Sequence, residues 1–183
     1  MKNKISGKLL FLAGLTFSTT ALATSIQHED VASLINQRLS CMKDVAEYKV
    51  NNHLAIEDLA QEARVLSGTV LEAEKLGLDG ESVKLFIQAQ MDAAKAIQYR
   101  YRADWLSVPE KSWQPEPLGQ VRAKISVLST VILTSVNVKL STGAQFTDKT
   151  AFMKRLNQTH LKDSDKERLW HSLKQITLKK SHI

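Results

Sequence analysis

Apolar residues Val31, Leu34, Ile35, Met42 and Val45 recur at helical spacing and predict a first, long helix running to about Val50, with Asp30 at its N-cap. A second helix is expected over 56–76, stopped by Gly77, which suits a C-terminal cap. Asp79 or Ser82 can open a third, carried to Trp105 by Val83, Phe86, Ile87, Ala94, Ile97 and Tyr101. All three prolines, Pro109, Pro115 and Pro117, fall within 107–119, which marks this stretch as a linker. The segment 120–140 is ambiguous, because Val127, Val131, Ile132, Val136 and Val138 favour strands. Its polar residues Arg122, Ser126, Ser129, Thr130, Thr134 and Asn137 recur at three or four, and they decide for a helix ended by Gly143. Shorter helices over 149–159 and 164–178 complete an all-α, multi-helix bundle without internal repeats.

The N-terminus reads differently. Lys2, Lys4 and Lys8 lead into an apolar run over 9–17 and then to Ala21-Leu22-Ala23. That order is that of a cleaved export signal over 1–23, leaving 24–183 as a single domain that contains the proline linker, in the periplasm or secreted. The run is too short to cross a bilayer, which takes about 20 residues, and no later segment reads as apolar enough for a span. Half of the formal charge of +6 belongs to the three signal lysines, so the mature chain has no excess of base that would suggest nucleic acid, and no membrane partner is expected after cleavage. A lone cysteine, Cys41, excludes an internal disulfide and reads as a small buried side chain.

Several kinds of chemistry lack their residues. Neither G-x-G-x-x-G nor G-x-x-x-x-G-K-[ST] occurs, nor does G-x-S-x-G. His28, His53, His160, His171 and His182 are scattered without metal-ligand spacing, so no metal and no cofactor are expected. Trp105, Trp113 and Trp170 do not interleave with a basic cluster.

The first helix holds an anomaly. Arg38 lies three residues after Ile35 and four before Met42, on the apolar stripe itself. Lys49 is eleven residues further on, which returns to within about 20° of the same direction, about 16 Å along the axis. Either both cations snorkel from the edge of the stripe, or they form an anion site between helices, since a buried cation requires a partner. Asp58, Gln61, Glu62 and Val65 share one face of the second helix, and Gln90, Ala94 and Gln98 one face of the third. A glutamine so placed is either satisfied by backbone or turned towards a ligand.

At these positions the chain resembles the secreted subclass of the all-helical chorismate mutases, over most of 36–122. The likeness rests on Arg38, on Val45-Ala46-Glu47-Tyr48-Lys49, on Ile56-Glu57-Asp58, and most specifically on Ala96-Ile97-Gln98-Tyr99-Arg100 with Ala103-Asp104-Trp105. The resemblance implies a Claisen rearrangement of the dianion chorismate to prephenate, which needs no nucleophile, metal or general base. By position, Arg38 would bind a carboxylate, Lys49 a carboxylate and the ether oxygen, and Gln98 the ether oxygen. Asp58 would lie near the substrate hydroxyl, Val65 would line the wall, and Arg122 would enter from the same chain, so that the site lies between helices of one chain in a homodimer. Two departures stand out: Gln61 replaces a usual arginine and Ala94 a frequent hydroxyl. Arg64 is placed either to compensate as a substrate-binding residue or to face solvent. These departures leave open a non-catalytic helical module that binds an anionic metabolite or a protein.

Overall fold

A short polar turn after each amphipathic stretch folds the chain back on itself, and the computed structural model describes residues 30–110 and 113–180. The expected export segment, His28 and His182 lie outside the described residues. Seven helices occur among the described residues, with no strand: α1 Val31–Ser40, α2 Met42–Asn51, α3 Leu59–Lys75, α4 Gly80–Ser107, α5 Leu118–Ser141, α6 Lys149–Arg155 and α7 Asp163–Leu173. The long first helix of the sequence reading is two helices, separated at Cys41. Cys41 keeps right-handed helical angles (φ −67°, ψ −11°) and its carbonyl accepts from Val45 N, so the axis continues and the phase from Arg38 to Lys49 survives. Asp30 occupies the N-cap, but its carbonyl rather than its side chain closes the first turn, onto Leu34 N.

Local chemistry sets the remaining boundaries. Helix α3 begins later than residue 56, because Asp58 caps it: its Oδ1 accepts from Gln61 N at 3.0 Å, while Glu62 Oε1 accepts from Asp58 N at 3.2 Å. It ends in a Schellman turn, with Leu78 N bonded to Ala73 O, Gly77 N to Glu74 O, and Gly77 at φ +89°. Asp79 opens α4 through Ser82 N at 3.0 Å. Helix α6 stops at Arg155 rather than at residue 159, since Leu156 turns to extended ψ and His160 adopts φ +67°. Helix α7 stops at Leu173 rather than at 178, because the tail pairs instead with the α3–α4 turn through Asp79 N to Thr177 O and Lys179 N to Gly77 O.

Helix α4 is the axis of the bundle, with α2, α3 and α7 packed on it, while α1 packs on α5 and α6 on α7. Leu34, Ile35 and Leu39 of α1 meet Phe86 and Ile97 of α4 and Ile132 and Leu133 of α5 in one buried cluster that also takes in Leu169 and Leu173. Helix α5 corrects one reading of the sequence: by length and composition it could cross a membrane. Here Ile132, Leu133, Val136 and Leu140 are buried in the bundle core. The proline linker is fastened to α2 rather than loose, since Asp44 Oδ1 accepts from Trp113 Nε1 at 3.1 Å and Glu116 N at 3.3 Å, and Lys43 sits 3.9 Å over the Trp113 ring.

Candidate active site

Between α1–α2, α3, α4 and α5 lies a cavity of about 470 Å³. Arg38, Lys49, Asp58, Gln61, Arg64, Val65, Ala94, Gln98 and Arg122 all line it, whereas Gln90, on the same stripe as Ala94 and Gln98, is buried outside the lining with its Oε1 unpartnered.

Arg38 sets its chemistry. The side chain is buried at 7% exposure, its Nε donates to Ser129 Oγ at 3.1 Å, and its Nη1 has no partner. Among the described residues no carboxylate pairs with it. Burial lowers its pKa to about 10, so it stays charged at neutral pH. The snorkelling alternative therefore fails for Arg38, whose head is inside. Lys49 is half-buried and donates to Ile56 O. Desolvation pushes its pKa down, opposed by the nearby Asp58 and Glu62 carboxylates and reinforced by Arg122.

Gln98 is buried, with Nε2 donating to Ala94 O at 3.1 Å and touching Met42 Sδ at 3.5 Å, while Oε1 has no partner. The sulfur is a weak acceptor, so one amide proton is held loosely. At the mouth, Gln61 Oε1 accepts from both Nε (3.3 Å) and Nη2 (2.8 Å) of Arg64. One oxygen of Asp58 is taken by the α3 cap.

A sequence profile described as chorismate mutase type II matches residues 28–99. The chain is also 48% identical over 177 residues to a protein of Yersinia pestis named secreted chorismate mutase, covering 96% of this chain and 94% of that one. The chain belongs to the chorismate mutase family. A monofunctional chorismate mutase of Enterobacter agglomerans is 40% identical over 171 residues, covering 91% of this chain and 94% of that protein. The crystal structure of the secreted chorismate mutase from Yersinia pestis superposes with a TM-score of 0.80 at 51% identity, covering 81% of this chain and 97% of that one. A chorismate mutase structure from Burkholderia phymatum shares the fold, with a TM-score of 0.68 at 18% identity over 82% of this chain and 98% of that one.

The mutase cavity contains groups to which the sequence reading gave no role. Ser126 and Ser129 line it. They stand four and seven residues after Arg122, so their place in the polar stripe of α5 was the available signal. Glu72 stands seven after Val65, on the same face of α3, and accepts from Thr130 Oγ1. Glu62, already on that face, is bound by Lys95 at 2.7 Å.

Proposed function

We propose that this cavity binds chorismate and rearranges it to prephenate, with the residues above in the following roles. Arg38 and Arg122, joined by Arg64 at the mouth, hold the two carboxylates and fold the substrate into its reactive conformer. Lys49 and Gln98 then donate to the ether oxygen as its carbon–oxygen bond breaks and the new carbon–carbon bond forms. No proton or electron leaves the substrate, so positioning and electrostatic stabilisation in a water-poor cavity are the whole of the catalysis. Gln98 supplies its proton by exchanging the Met42 sulfur for the ether oxygen. Asp58 faces the substrate hydroxyl, and Val65 and Ala94 form apolar wall.

The observation that carries this reading is the buried, carboxylate-free guanidinium of Arg38. Such a charge is costly unless a ligand supplies the anion. Five cationic side chains and three carboxylates line the cavity, an excess of two positive charges that matches a dianion. Similarity to a secreted relative over 96% of the chain supports export. The non-catalytic module is not favoured, since the relatives named above are mutases over nearly their full lengths. Each site is complete within one chain of a homodimer, for which exposed Val127 and Val138 on the outer face of α5 offer apolar surface. The test is loss of chorismate absorbance with prephenate formed in equal amount. Binding of chorismate without turnover would reinstate the non-catalytic module.

A further inference from the structure

Ser129 lies ninety-one residues beyond Arg38, on a different helix, and its hydroxyl faces two ways. Its single proton goes to Ile125 O at 2.8 Å, one turn back on α5. A lone pair therefore remains to accept from Arg38 Nε at 3.1 Å. Among the described residues this is the one hydrogen bond made by the guanidinium, which is buried and has Nη1 unpartnered. With Nε occupied and Nη1 enclosed by protein, Nη2 is the donor left to meet a carboxylate.

We propose that Ser129 is the positioning residue of Arg38, fixing the guanidinium through Nε so that Nη2 is held for the substrate while its charge is left unspent. This rests on the reading of the cavity as the chorismate site. The choice of a hydroxyl has a physical reason. A carboxylate at 129 would orient the guanidinium at least as firmly, but it would neutralise the charge that the substrate must meet. An apolar side chain would leave Nε–H buried and free to swing. A neutral acceptor whose own proton is committed to its helix avoids both faults. Helix α5 thereby serves the cavity twice, through Arg122 directly and through Ser129 by way of Arg38.

The experiment measures kcat/KM for chorismate in Ser129→Ala, Ser129→Thr and Ser129→Asp. Misplacement of a clamp by about 1 Å can cost up to about 10²-fold, so Ser129→Ala is expected to fall about 10- to 100-fold. Ser129→Thr, which keeps the hydroxyl, should remain within a few-fold of wild type, and Ser129→Asp should fall below Ser129→Ala. In an Arg38→Ala background, Ser129→Ala should bring no further loss, whereas a merely structural serine would cost the same in both backgrounds. Wild-type activity in Ser129→Ala, equal losses in the two backgrounds, or Ser129→Asp more active than Ser129→Ala would each overturn the proposal. Absence of turnover in the wild type would instead overturn the assigned function. Should Ser129→Ala not fold, the Thr and Asp variants still decide it.

Discussion

Arg38 carries a full charge into a wall whose described polar contact is a serine hydroxyl, and that placement costs the fold stability. Its pKa is lower in the folded chain (about 10) than that of a free guanidinium, so the penalty is complete below about pH 10 and fades as pH rises above it. Arg38→Met should therefore keep or raise Tm while lowering kcat/KM at least about a hundredfold; thermal denaturation that shows a clear fall in Tm would contradict this. Lys49 has its pKa pushed below 10.5 by desolvation, and a bound dianion would push it back up. On the alkaline side kcat/KM, which reports the free enzyme, should thus fall at lower pH than kcat. Between about pH 5 and 8 both should be flat, because Gln98 is an amide and has no proton to lose there, so a steep change across that window in a pH–rate profile would remove Gln98 from its role. Arg64→Ala should raise KM about five- to tenfold with kcat little changed, a modest effect because the residue is exposed. Steady-state kinetics with KM unaltered would return Arg64 to the ordinary surface. Arg38, Lys49 and Gln98 could be placed on inward faces because phase along a helix is a property of sequence, while Arg122 was marked by the family resemblance; all four line the cavity. Ser129 was not legible, because its partner is ninety-one residues away and only the packing of α1 on α5 brings the two together.

Helices were easier to read than their ends. The choice of helix for α5, against a run of β-branched residues, followed from its polar stripe, and the first part of that stripe, Arg122, Ser126 and Ser129, lines the cavity. The ends of α6 and α7 escaped because long-range partners hold the chain beyond them: Asn157 N just after α6 bonds to Asn36 Oδ1, and the tail leaves α7 to pair with the α3–α4 turn, a partner about a hundred residues earlier. The interruption at Cys41 escaped because it needs no Gly or Pro and barely changes the backbone. Gly77 was legible as a stop, and its φ of +89° explains why glycine is required there. A side chain at that φ costs about 1–2 kcal/mol, so Gly77→Ala should lower Tm by roughly 3–6 °C. The cavity lies away from this turn, and kcat/KM should stay near wild type; an unchanged Tm on thermal denaturation would show that the turn relaxes without strain.

For the molecule as a whole, the charge that looked like a general basic character is a matter of placement. Half of the +6 belongs to the three lysines of the expected export segment, and the functional positive charge is the small excess facing one cavity. The linker fastened to Asp44 feeds α5 back across α1, so the same chain that supplies Arg38 and Lys49 also supplies Arg122. On the proposed reading the bundle holds five cations and an amide around a dianion, with three carboxylates among them and none paired with Arg38. The most direct test is kcat/KM for the conversion of chorismate to prephenate by the wild type, Lys49→Ala and Arg38→Ala, with helicity verified in each. One aligned donor to a developing oxyanion is worth about 10²–10³ in rate, so each variant should lose at least about a hundredfold. A Lys49→Ala enzyme within a few-fold of wild type would contradict the account.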